Sequence, residues 1–241
     1  MQSRDIDINL FSHKAFNPKD YENYQFTNIG NNKITVLQFY ISNWFDNNFY
    51  DKLIAKISEI LECTKVAVDD WKNMKSSLSV CIDNLTKSLE LKNNLEINQE
   101  YLNFLKFLSE DHFIFLGYTH AKSSNGNNFK VEENKSLGLL KRPKFINEIE
   151  LLNNYQFNNG AIIIRKSETK TKVHRKSYML CISVKNYDSD GRCISIDTFF
   201  GFLVTKVYYM SVLNIPIIRD KIHYVIKKYG YPKDSYNAKE L

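Results

Sequence analysis

The sequence predicts an α+β fold, on three observations. Apolar residues alternate in two short runs near the N-terminus, then recur at steps of three and four between Asp46 and Leu108. Beyond Asp111 they return to β-branched and aromatic runs separated by turn residues, closing on one further helical stripe. With 241 residues and 43% hydrophobic content, the chain has enough apolar surface for a core in one or two domains.

Residues 5–13 set Ile6, Ile8 and Leu10 on one side, and residues 33–42 form a second apolar run, so two strands are expected to flank a polar loop. From Asp46 the period changes: Phe49, Leu53, Ile57, Ile60 and Leu61 describe a helix that would pack on this small sheet. Val68, Trp71, Met74, Leu78, Cys81, Ile82, Leu85 and Leu89 then give a long amphipathic helix from Thr64 to about Asn93. A helix of this kind cannot bury itself and is expected to join two modules. Asn98 is placed to cap a shorter helix whose inner face is Tyr101, Phe104, Leu105 and Leu108.

After Asp111 the expected strands are His112–Tyr118, Phe129–Val131, Leu137–Leu140, Ala161–Arg165, Val173–Lys185 and Cys193–Val207. Asp188-Ser189-Asp190-Gly191 reads as the turn of a hairpin between the last two. The final helix has Asn214 as its expected N-cap, Pro216 in the first turn, and Ile218, Ile222, Val225 and Ile226 as its stripe. Gly230 and Pro232 mark its exit, and residues 234–241 read as the start of a further segment.

Composition narrows the classes. The formal net charge of +6 is spread along the whole length, which suits solubility better than one dedicated polyanion face. Cys63, Cys81, Cys181 and Cys193 form no Cys-x-x-Cys pair, so reduced thiols are expected and no metal site is indicated. No signal-peptide run and no stretch near the ~20 apolar residues of a membrane span is present, which points to the cytoplasm. No Gly-x-Gly-x-x-Gly fingerprint offers the close backbone approach that a dinucleotide pyrophosphate needs.

Six ordered blocks carry a family resemblance. They are Val66 to Met74 with Asp70-Trp71; Glu110-Asp111-His112-Phe113 through Leu116-Gly117-Tyr118; Leu137-Gly138-Leu139-Leu140; Val173-His174-Arg175 with Tyr178 and Ile182 to Lys185; Phe200-Gly201-Phe202-Leu203 with Tyr208; and Ile215-Pro216-Ile217-Ile218-Arg219-Asp220-Lys221. Together they resemble the N-terminal, non-catalytic region of the large bacterial NAD-specific glutamate dehydrogenases. Two departures stand out: Leu180 or Cys181 replaces an Asp after Tyr178, and Asp197-Thr198 replaces an acidic and basic pair before the Phe-Gly-Phe block.

The resemblance implies a modular chain. Residues 1–62 would be a partial ACT-like domain, 63–96 a helical linker, 97–233 a PAS-like antiparallel sheet domain with a C-terminal helix, and 234–241 the start of a following segment. The implied role is regulation and assembly within a larger enzyme that deaminates glutamate to 2-oxoglutarate with NAD, its active site lying outside this chain, as expected of a piece of a split or degraded gene. The implied partners are the other dehydrogenase domains, subunits of a homo-oligomer and a small-molecule effector, with no membrane or nucleic acid. A stand-alone sensory module and a basic polyanion-binding module are the alternative readings.

No catalytic, cofactor or metal residue is assigned. His174, Arg175, Tyr178 and His112 are the candidates for an effector site, although His112 at a helix-to-strand junction is expected to satisfy backbone groups. Arg175 and Tyr178 are expected on opposite strand faces. Lys170, Lys172, His174 and Lys176 would line one face of a strand. Asn186, Asp188, Asp190 and Asp197 approximate the spacing of a calcium loop, but strands flank them where an EF-hand needs helices, so a hairpin is preferred.

Overall fold

The computed structural model describes residues 8–16, 34–41, 47–90, 99–123, 129–145 and 160–230. Asn98, Pro232 and residues 234–241, all singled out above, lie outside them. The chain divides into two units, Met1–Ile57 and Ser58–Leu241.

In the first unit the two expected strands, β1 (Ile8–Phe16) and β2 (Ile34–Ile41), are present and pair antiparallel. Phe11 lies opposite Phe39 and Phe16 opposite Ile34, with an irregularity between Ile8 and Leu10.

Helical spacing then continues further than expected. One helix, α1 (Asn47–Asp69), runs straight through the boundary placed near Thr64, and α2 (Trp71–Glu90) follows after Asp70 alone. Nothing at Thr64 interrupts a helix, and its hydroxyl donates to the Ile60 carbonyl at 2.8 Å within the same turn. The ladder even crosses the junction, since Asp70 N–H donates to Val66 and Met74 N–H to Asp70.

The second unit is built on an antiparallel sheet. Its strands are β3 (Phe113–Ser123), β4 (Phe129–Val131), β5 (Leu137–Gly138), β6 (Ile162–Thr171), β7 (Ser177–Tyr187) and β8 (Cys193–Leu203). They lie in the order β4-β3-β8-β7-β6, with β5 also on β3. One face meets α2, which buries Met74, Leu78, Cys81 and Leu85 at successive turns, and α3 (Gln99–Phe107), which buries Leu102, Phe104, Leu105 and Phe107. Phe113, Phe115 and Phe199 complete this side through edge-to-face contacts at 5.0 and 5.9 Å. The other face carries Met179, Cys181, Phe200 and Phe202 against Leu139, Leu140, Phe145, Cys63 and Ala67. Each large side chain buried this way contributes on the order of 1.5–3 kcal/mol. The aromatic runs are therefore core, as burial expectations suggest.

Several boundaries differ from the sequence reading. The strand expected from Val173 begins at Ser177, because residues 172–176 form a loop in which Arg175 N–H closes a tight turn on the Val173 carbonyl at 2.8 Å. His174, at its centre, has φ 64°. Lys172, His174 and Lys176 therefore do not continue a strand face with Lys170. Leu139 and Leu140 leave the sheet in a helical turn, and β8 stops at Leu203 before another at Thr205–Tyr209. Asn214 is not a cap: it ends the short turn Val212–Asn214, and the last helix, α4 (Ile218–Lys228), begins four residues later. Gly230 follows α4 at φ 70°, the left-handed exit expected of it.

Candidate functional site

The most concentrated polar chemistry lies between α2 and the sheet, around Asp197. A bulge creates it. Phe115 pairs with Gly201 but Gly117 pairs with Phe200, so Leu116 is an extra residue in β3. Odd-numbered Phe113 and Phe115 precede the bulge, even-numbered Tyr118 follows it, and all three belong to the core on the α2 side. The shift also brings His120 opposite Asp197 on β8.

Asp197 is 6% exposed, and donors occupy both its oxygens. Tyr118 Oη donates to Oδ1 at 2.6 Å, and His120 Nδ1 lies 2.8 Å from the same atom. On the other oxygen, Asn186 Nδ2 donates to Oδ2 at 2.5 Å and the Cys81 thiol approaches at 3.4 Å. Asn84 of α2 extends the network by donating to Asn186 Oδ1 at 3.3 Å, while Glu132 stands 3.7 Å from the other His120 nitrogen. Burial opposes the charged carboxylate, but the His120, Tyr118 and Asn186 contacts outweigh it and hold Asp197 below the usual range. Burial and the neighbouring Asp197 charge push the Cys81 thiol and the Tyr118 phenol upward, so both stay protonated donors. Chemically, the arrangement locks a buried charge. It offers neither an activated nucleophile nor a vacant carboxylate position.

Two further carboxylates act as anchors. Asp70, at the α1–α2 junction, accepts the Gly138 N–H at 2.7 Å and pairs with Lys141 Nζ at 2.7 Å. Burial raises the Asp70 carboxyl, but the Lys141 and Gly138 contacts bring it below its ordinary value. Glu100 on α3 accepts the Ile217 N–H at 3.1 Å and the Arg219 Nε at 2.9 Å, capping α4 from another element. Its Arg219 bonds outweigh burial and lower the Glu100 carboxyl to about 2.

The residues proposed from sequence do not converge. His112 is buried, stacked on Phe107 at 4.0 Å with Nδ1 2.8 Å from the Phe107 carbonyl oxygen, so it satisfies backbone as expected. Arg175 lies over Phe202 at 4.2 Å and donates to the Tyr208 hydroxyl at 3.1 Å. His174, exposed in the same loop, has its ring 6.0 Å from Phe202, whereas Tyr178 packs under Lys170 at 4.8 Å. Asp188 makes a turn rather than a cation loop, its Oδ1 accepting from Asp190 and Arg192 N–H at 3.0 and 2.8 Å. Among the described residues no cluster of His, Cys, Asp or Glu could hold a metal ion, and no helix is long and apolar enough to cross a membrane. Sequence reasoning missed the joint role of Asp197, Tyr118 and His120. The available signal was a lone carboxylate at an inward strand position between Ile196 and Phe199, which demands buried partners.

A mixed helix-and-antiparallel-sheet protein, its helices fastened by buried or half-buried carboxylates, is the class this fold and site define. Residues 215–241 match the family model described as glutamate dehydrogenase, helical motif 1. The chain is 26% identical over 201 residues to the NAD-specific glutamate dehydrogenase of Halomonas elongata, covering 79% of this chain. It is 29% identical over 194 residues to that of Pseudomonas aeruginosa, covering 77%. In each case the match spans 12% of the relative. Over more than three quarters of its length the chain is thus similar to NAD-specific glutamate dehydrogenases, and it spans about an eighth of the length of these relatives.

Proposed function

We propose that this chain is a non-catalytic regulatory and assembly segment of a large, cytoplasmic NAD-specific glutamate dehydrogenase. The observation that carries the reading is the pair of matches that take in more than three quarters of this chain but only 12% of each dehydrogenase. In this reading residues 1–62 are a partial ACT-like domain, 63–96 a linker, 97–233 a PAS-like domain and 234–241 the start of the next segment. The fully engaged Asp197 network supports a rigid platform, since removing any donor would leave a buried charge short of partners. NAD and the deamination of glutamate to 2-oxoglutarate belong to the rest of the enzyme, whose domains and subunits are this chain's partners. A small-molecule effector would meet His174 and Arg175, which share one loop, more readily than Tyr178 or His112.

The first test is glutamate-dependent NADH formation by the purified chain. None is expected; turnover above that of a protein-free blank would overturn the non-catalytic reading.

A further inference from the structure

α4 carries a packing seam that the described structure leaves open. Ile218, Ile222 and Val225 of the helix, with Tyr229 at its C-terminal cap, follow one another at steps of four, three and four, which aligns them along one side. Only Ile226, outside this line, is buried. Ile218 is 39% and Tyr229 66% exposed, and Ile222 and Val225 are half-buried. The flank toward the protein body holds Ile226 and Arg219, the latter engaged by Glu100. The other flank holds Lys221 and Lys228, both exposed, at the residues immediately preceding Ile222 and Tyr229. In a heptad these are the positions whose charges choose the partner. Lys228 also lies about equally near the Tyr224 and Tyr229 rings, at 5.9 and 6.0 Å, which holds its cation on that flank.

We propose that this seam docks an amphipathic partner helix whose flanking positions, facing Lys221 and Lys228, are acidic. The apolar spacing specifies a helix, because an extended segment would present its side chains at period two and miss the line. The cationic flank specifies the charge. The inference deepens the assembly reading and rests on it for the source of the helix, which is another segment of the dehydrogenase.

The test uses the full 241-residue chain and a labelled synthetic helix of about three heptads, with Leu along its seam and Glu at the flanks, followed by fluorescence anisotropy. A control peptide carries Lys at the flanks. The Glu peptide binds, the Lys peptide binds about tenfold more weakly or not at all, and the double variant Lys221→Glu, Lys228→Glu inverts the preference. Both substitutions lie on exposed positions, so circular dichroism of the variant should match the parent. Equal binding of the two peptides, or no binding of either, overturns the proposal. So does self-association abolished by the same charge reversal, which would assign the seam to a second copy, or displacement of the Glu peptide by oligo-dT at equal concentration. The assay reads no dehydrogenase activity, so its failure is distinguishable from failure of the assembly reading.

Discussion

Tyr118 donates its phenolic hydrogen to Asp197 Oδ1 at 2.6 Å across neighbouring strands, a contact that exists because the Leu116 bulge turns Tyr118 toward α2. Were Leu116 accommodated in a regular strand instead of a bulge, Gly117 and Thr119 would take the places of Tyr118 and His120 beside the buried carboxylate.

Removing the acceptor should cost more than removing one donor. Asp197→Ala leaves Tyr118, His120 and Asn186 directed at an apolar gap and should destabilise by about 3–5 kcal/mol. Tyr118→Phe removes one of several donors and should cost about 1–2 kcal/mol. Urea unfolding followed by tryptophan fluorescence checks the order; equal losses would mean that the network is not centred on Asp197.

Asp70 and Gly138 form a second coupled pair. Gly138 has φ 61°, and a Cβ there would stand 2.3 Å from the Leu116 carbonyl oxygen, so Gly138→Ala should cost about 2–4 kcal/mol. Asp70→Ala frees the Gly138 N–H and should cost about 1–2 kcal/mol. The double variant should lose less than the sum, because displacement of β5 already breaks the Asp70 contact.

The Glu100–Arg219 pair sets a pH dependence. The folded Glu100 carboxyl is lowered from 4.5 to about 2, so its contribution is complete above pH 4.5 and is lost as pH falls through the folded value. Thermal melts from pH 5 down to pH 2 should therefore show a falling midpoint, and Glu100→Gln should flatten the fall across that interval. An unchanged slope would remove Glu100 from the account.

Cysteine reactivity should follow burial. Cys81 is enclosed and its thiol is pushed up, whereas Cys193 is half-exposed, so alkylation of the native protein should mark Cys193 well before Cys81. Peptide mapping after timed iodoacetamide treatment reads the order directly; early labelling of Cys81 would mean that the α2 interface opens.

Much of this was legible in the chain, and the rest fails for identifiable reasons. Strand periodicity located β3, β7 and β8 because their inward residues are aromatic or β-branched, and Gly191 and Gly230 announced a turn and a helix end. The α1–α2 junction escaped because Asp70 leaves the ladder almost intact, its reason being a contact with Gly138, far off in sequence. Asn214 misled because a local cap signal lost to a distant one, Glu100, which takes the Ile217 N–H. The Asp197 network was hidden by the Leu116 bulge: a one-residue parity change leaves no mark in an aromatic run, yet decides which of Tyr118 and Thr119 meets the helix. The family resemblance could be read from the six ordered blocks, and the carboxylate anchors now give Asp70, Gly138 and Arg219 within them a physical purpose.

The most direct measurement of the central claim is a segment exchange in the Pseudomonas aeruginosa relative. The stretch matching this chain is deleted, or replaced by it, and oligomeric state and glutamate-dependent NADH formation are measured on the purified products. The account predicts that deletion disrupts assembly and activity together and that the exchanged chain restores assembly. A deletion product that still assembles and turns over like the parent would contradict it.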